Sequence, residues 1–194
     1  MATRNAIASV GQAIASLLSN ACPREVFPDA DFKLYQAANF QKPMPEGISV
    51  YLYKIDPANN VRNLAPRIAG NRRFRPSLPV DLHFLITAWA KEGFLQLRLL
   101  GWAMRELEDA STLGSGILNQ PGPEPDAFHP NESVDLILEP LSLQDLYNIW
   151  EVGKPAIQPS VSYVVRMVRL DSEVEMPEFK VVGERQYDYA EVLR

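Results

Sequence analysis

The sequence predicts a single α+β domain in which helices pack on a mixed β-sheet. Predicted elements follow the order helix, strand, strand, helix, strand, helix, strand, which is typical of one layer of helices on a sheet. The 194 residues suit one ordinary core, and 46% hydrophobic with 22% charged residues is a globular composition. No internal repeat divides the chain, so we expect one domain, residues 1–171, and a C-terminal arm, residues 172–194.

The first third of the chain predicts one helix and two strands. Apolar residues at helical spacing predict an amphipathic helix over residues 4–20. Four prolines in residues 22–46 predict irregular chain with one short strand. Residues 48–55 are β-branched and aromatic, with apolar side chains on both faces, which predicts an interior strand. The polar residues 56–76 are expected to form a loop.

A strand and a helix follow this loop. Residues 80–90 follow two prolines and show alternation that favours a strand, although a helix that continues from residue 81 stays an alternative. Residues 92–109 give the clearest helical pattern in the chain. Its apolar stripe is predicted to consist of Phe94, Leu97, Leu100, Met104 and Leu107.

The remaining pattern predicts a loop over residues 113–128, a strand over 133–141, a helix over 141–150 and a strand over 159–171. Ser142, with Asp145 three residues later, resembles a capping box at the start of that helix. The last strand is predicted to carry Tyr163, Val165 and Met167 on one face, with Val164, Val168 and Leu170 on the other.

Charge and cysteine content exclude several classes of protein. A net charge of -5 argues against a chain that binds nucleic acid as a whole, because such binding depends on excess Lys and Arg. The single cysteine, Cys22, cannot form an intrachain disulfide, and one Cys with two His cannot build a structural zinc site. The N-terminus is too polar for a secretory signal, so we expect cytoplasmic synthesis without a signal peptide, and no direct membrane contact.

Whether the chain has the residues of an enzyme depends mainly on the role of His83. Asp81 lies two positions away on the same predicted strand face, so a His–Asp pair of a hydrolase is conceivable. No nucleophile motif accompanies the pair, because Ser115 in LGSGI lacks the Gly-x-Ser-x-Gly spacing. A hydrogen-bonded histidine within a sheet is therefore the favoured interpretation.

No cofactor or metal site is predicted elsewhere. Neither Gly-x-Gly-x-x-Gly nor the phosphate-binding Gly-x-x-x-x-Gly-Lys-Ser/Thr motif occurs. His129 lies near Glu124, Asp126 and Glu132, which is a conceivable metal-ligand set, but one histidine in a proline-rich segment favours an exposed loop.

Two segments are candidate protein contacts. The arginines of residues 56–76 suit contact with acidic groups on a partner, because one guanidinium group can form two hydrogen bonds with one carboxylate. A solvated loop is the alternative interpretation. Nucleic acid is disfavoured as a partner because the net charge of the chain is negative. The C-terminal arm carries more aromatic residues than a free disordered tail normally does, which predicts docking on the domain or on a neighbouring subunit. The candidate residues are Arg62, Arg67, Arg72, Arg73, Arg75, Phe179, Tyr187 and Tyr189.

Six segments in order carry a resemblance over about residues 5 to 171: VYLYKI, RN, LPVDLHFLITAWA, LGWAMRELED, LSLQDLYNIWEVG and PSVSYVVRMVRLD. Together they resemble the cap, or tail-terminator, proteins of phage-tail-like contractile injection systems of the antifeeding-prophage and virulence-cassette type. The run from Asp81 to Thr87, the following Leu-Gly-x-Ala-Met and the later Asn-Ile-Trp are fairly specific as a set. Phe84 stands where tyrosine is more often expected.

The resemblance implies a non-enzymatic structural protein with a phage tail-terminator-like fold and no cofactor. It implies a homo-hexameric ring at the end of the tail distal to the baseplate, which binds inner tube and sheath and ends their polymerisation. A monomeric adaptor that binds a peptide at a sheet edge, and a hydrolase that uses His83, remain the alternatives.

Overall fold

A computed structural model describes residues 2–58, 64–119, 127–153 and 156–177. Four α-helices, a 3-10 helix and eight strands follow one another along this part of the chain. They are α1 (Ala6–Ala21), β1 (Asp31–Tyr35), the 3-10 helix (Ala37–Gln41), β2 (Gly47–Pro57), β3 (Arg67–Ala69), β4 (Arg72–Phe74), β5 (Leu78–Trp89), α2 (Gly93–Asp109), β6 (Thr112–Gly114), α3 (Ser115–Leu118), β7 (Ser133–Glu139), α4 (Leu143–Gly153) and β8 (Ser160–Leu170).

Six strands form one mixed sheet in the order β1-β2-β5-β8-β7-β6. β1 runs parallel to β2, and the remaining neighbours are antiparallel. The predicted α+β class and mixed sheet are therefore confirmed. β2 and β5 lie inside the sheet, as their apolar side chains on both faces require, and residues 80–90 form a strand and not a helix.

Helices cover both faces of the sheet, so the expectation of a single helical layer is wrong. The first face carries Leu82, Phe84 and Ile86 beneath α1 and α2. The second face carries Leu85 and Trp89 beneath the 3-10 helix and α4. The physical reason is that β5 is apolar on both sides, and burying such a side chain stabilises the fold by about 1.5–3 kcal/mol.

The buried stripe of α2 differs from the predicted one. Its buried residues are Gln96, Leu99, Leu100, Ala103 and Leu107. Leu100 and Leu107 were predicted correctly, and Met104 packs partly buried against the core. Phe94 and Leu97, in contrast, are 75% and 60% exposed. An apolar residue at helical spacing does not reveal whether it faces the chain's own core.

A bulge in β8 corrects the predicted faces of that strand. Met167 has a φ of 59°, and the pairing with β5 shifts register between Val80 and Leu82. The extra residue brings Val168 into the first-face core with Tyr163 and Val165. Val168 was expected on the opposite face because the residues of a regular strand alternate strictly between faces. The bulge interrupts this alternation.

Two predicted loops contain short elements. Residues 56–76 hold the β3–β4 hairpin, which forms its own two-stranded sheet. Residues 113–128 hold part of β6 and the single-turn helix α3. Strands of three residues give too little alternation to be recognised from a sequence.

Candidate functional site

The arginine-rich segment forms a hairpin that is fixed to the end of β8. Gly70 has a φ of 58° at the first central position of the turn, as a type II′ hairpin turn requires. Arg67 Nε lies 3.3 Å from Asp171 Oδ2, and the Arg67 guanidinium carbon stands 4.1 Å from the centre of the Phe74 ring. Because both of these contacts are made within the chain, Arg67 fixes the position of the hairpin relative to the end of β8.

The chain returns to the same hairpin after β8. The Arg75 N–H donates to the Val174 carbonyl at 3.0 Å, and the Met176 N–H donates to the Arg73 carbonyl at 2.8 Å. Residues 174–176 therefore lie beside β4 as an additional extended segment, bridged between Phe74 and Glu175. The structure thus brings the start of the predicted C-terminal arm next to the arginines.

We use the name hairpin surface for three exposed residues of the hairpin and its C-terminal end, Ile68, Arg72 and Arg75. Arg72 and Arg75 are exposed, and Ile68 on β3 is 71% exposed. Arg73 is half-buried. The other candidate contact residues, Arg62, Phe179, Tyr187 and Tyr189, lie outside the described residues. Ile68 pairs with Arg73, so strand alternation places Arg72 on the other side of the hairpin from Ile68. Exposed arginines close to an exposed apolar side chain suit contact with an acidic partner.

His83 lies on the second face of the sheet between two carboxylates. Its Nδ1 is 2.6 Å from Glu139 Oε2, and its Nε2 is 3.3 Å from Asp56 Oδ2. Lys54 Nζ lies 2.6 Å from the same Asp56 oxygen. These contacts connect β2, β5 and β7, which favours a structural role for the histidine. Both acids come from distant positions in the sequence, so local spacing could not identify them.

Asp81 is engaged elsewhere and not with His83, so the His–Asp pair of the hydrolase alternative is not formed. Its Oδ1 accepts the Met167 N–H at 2.9 Å and holds the bulge of β8 instead. The cleft beside His83 has a volume of about 430 Å³. Tyr53 lines this cleft, and burial raises the pKa of its phenol, so at neutral pH it is protonated and a poor nucleophile.

The other residues considered for catalysis or metal binding also lie in structural surroundings. The Ser115 hydroxyl donates to the Pro130 carbonyl at 2.7 Å, and Glu132 Oε2 accepts the backbone N–H of His129 at 3.0 Å. Burial raises the pKa of the Cys22 thiol, which keeps it protonated. Glu124 and Asp126 lie outside the described residues. In the described ranges, no three His, Cys, Asp or Glu side chains cluster as a metal site would require, and no helix is long and apolar enough to cross a membrane.

The chain is similar to known proteins both in sequence and in fold. The family model described as Pvc16 N-terminal domain matches residues 9–184. A search of curated proteins found no match. Two cryo-EM structures resemble the chain at 17% identity each: the sheath/tube terminator of the PVC extracellular contractile injection system in its extended state (TM-score 0.59) and the tube terminating cap of the anti-feeding prophage (TM-score 0.58).

The similarity extends over almost the whole chain but not over the whole of these proteins. It covers 99% of this chain and 66% of the PVC terminator, and 91% of this chain and 60% of the anti-feeding prophage cap. At this identity the comparison establishes a shared fold. The tail-terminator-like architecture predicted from the sequence is therefore confirmed.

Proposed function

The chain belongs to the Pvc16 N-terminal domain family, and on this premise we propose that it is a cap, or tail-terminator, protein of a contractile injection system. The observation that carries the proposal is the fold shared with two proteins described as terminators, over 99% and 91% of the chain. The role is structural and not enzymatic, which fits the internal engagement of His83, Asp81 and Ser115.

The proposed assembly is a homo-hexameric ring at the end of the tail distal to the baseplate. The ring binds the last layer of inner tube and the last sheath ring, and thereby ends their polymerisation. Neither nucleic acid nor a membrane is a direct partner, which is consistent with the net charge of -5. The protein is made in the cytoplasm and becomes part of the tail-like particle.

The hairpin surface is the proposed contact to an acidic neighbour in this assembly. Residues 1–171 form the cap domain, and the arm of residues 172–194 starts beside the hairpin, where residues 174–176 lie against β4. In this proposal the arm and the hairpin contact the same neighbour, with Phe179, Tyr187 and Tyr189 as the aromatic contacts of the arm.

Reversing the charge of this surface should separate the chain from its particle. With Arg72→Glu and Arg75→Glu combined, we expect about tenfold less protein to copurify with tube and sheath, because like charges then face each other at the contact. The matched control combines Arg4→Glu with Arg166→Glu, two exposed arginines outside the hairpin surface, and should copurify normally.

The same purification tests the function itself. Wild-type protein should copurify with tube and sheath and be visible as a ring at one tail end. Wild-type protein that remains a monomer and binds neither component would reject the cap and favour the adaptor. Normal copurification of the hairpin variant alone would reject only the hairpin surface.

A further inference from the structure

Helix α2 presents an apolar surface to solvent, on the side away from its core contacts. Phe94 and Leu97 are 75% and 60% exposed. Gly101 is also exposed and lies one turn further along the same side of the helix. We call these three residues the α2 face. Two large exposed apolar side chains beside each other on one helix are typical of a contact with another protein.

Gly101 adds an observation that the isolated domain does not explain. In the part of the chain that the structure describes, a Cβ built at this position meets no heavy atom within 4 Å. Glycine weakens the interior of a helix relative to alanine, and nothing within the domain requires its small size. A helix position without a side chain is instead suited to the close approach of another chain.

Helix α4 presents a second apolar surface, on the other side of the sheet. Leu143 and Tyr147 are 80% and 55% exposed and lie one turn apart. Glu151 follows one turn later and is also exposed. We call these three residues the α4 face. Trp150 on the same helix is buried against Trp89 and Phe40 of the second-face core, which fixes the orientation of α4.

The charges beside the two faces differ in sign. Arg98 stands beside the α2 face, with its guanidinium carbon 5.7 Å from the centre of the Phe94 ring. The acidic residues of α2 lie in its last turn, where Arg105 is paired with Asp109 of the same helix. Residues 143–153 of α4 contain Asp145 and Glu151 and no basic residue. Contact of an α2 face with another α2 face would bring arginines together, and two α4 faces would bring carboxylates together. Contact between unlike faces places Arg98 of one copy opposite the carboxylates of the other.

We propose that the α2 face of one copy docks on the α4 face of the next copy, as the subunit contact of the ring. This inference rests on the proposed function, since it supplies the contact of that ring. The two faces lie on opposite sides of the sheet, so one subunit can use both at once. Such a head-to-tail contact repeats around a closed ring, in which every apolar face is covered.

A substitution that adds bulk without disturbing the domain tests the α2 face. Gly101→Leu should leave the protein folded with an equal or higher melting temperature, because leucine favours helix and has open space there. We expect at least a tenfold loss of chain bound to tails. The matched control is Gly116→Leu on α3, which is equally exposed and open and should bind normally. Normal binding of folded Gly101→Leu protein would overturn the proposal.

A charge exchange identifies the occupant of the α2 face. Arg98→Glu and Glu151→Arg should each reduce binding to tails about tenfold, whereas the variant with both changes should recover most of it. Recovery is expected only if the two helices of neighbouring copies meet. Loss that the second change does not restore would overturn the proposal and indicate tube, sheath or the chain's own arm as the occupant. Wild-type protein that does not bind tails would contradict the proposed function instead.

Discussion

Replacing Gly47 with alanine should destabilise the protein more than a substitution at any other described glycine. Gly47 begins β2 with a φ of 144°, and a Cβ there would lie 1.9 Å from the Asp31 carbonyl oxygen and 2.6 Å from the Met44 sulfur. Asp31 is the direct partner of Gly47 in the parallel pairing of β1 with β2. Backbone strain and the clash together cost about 3–5 kcal/mol, a large share of a typical stability of about 5–15 kcal/mol.

Urea denaturation measures this loss as a lower midpoint at an unchanged slope. Gly70→Ala is the matched control, because Gly70 also has a positive φ but a Cβ there meets nothing within 4 Å. The control should cost less, about 1–3 kcal/mol, because it carries the penalty of a positive φ without a clash. Equal midpoints for the wild type and Gly47→Ala would contradict the described junction of β1 and β2.

Replacing Trp150 with alanine should release α4 from the second face of the sheet. The Trp150 ring packs edge-on against Phe40 and Trp89, with centroids 5.5 Å and 6.1 Å away. Removing so large a buried ring costs about 3–5 kcal/mol. Because the α4 face is the proposed ring contact, we also expect the variant to lose binding to tails. Denaturation midpoints and copurification with tails measure the two effects.

Trp150→Phe distinguishes packing from hydrogen bonding at this position. Among the described residues, the buried Trp150 Nε1 has no hydrogen-bond partner. Substitution by phenylalanine therefore reduces the buried side-chain volume without removing a hydrogen bond. We expect a cost of about 1–2 kcal/mol and nearly normal binding to tails. A phenylalanine variant as unstable as the alanine variant would contradict this description of the second-face core.

Sequence periodicity predicted the long elements because each must bury an apolar side. The helices α1, α2 and α4 and the strands β2, β5, β7 and β8 were all predicted near their observed positions. The bulge at Met167 was not, because the Asp81 carboxylate that holds it comes from another strand. Pairing between distant segments is set by the whole sheet and not by local pattern.

The candidate surfaces were predictable only in part. The arginine segment was recognised by its charge, but its hairpin, and the engagement of Arg67 with Asp171, depend on contacts across the fold. Phe94 and Leu97 were assigned to the core because their spacing fits a buried stripe. The same spacing results when a helix faces another chain, so only the exposure in the structure separates the two cases.

Electron microscopy of tail-like particles from cells that lack the gene for this chain tests the central claim most directly. We expect tails of uncontrolled length, or tubes from which the sheath is missing, because nothing then ends polymerisation or holds the last sheath ring. Expression of the wild-type chain should restore uniform, capped tails. Particles of normal length with normal caps in its absence would contradict the assignment of this chain as a tail terminator.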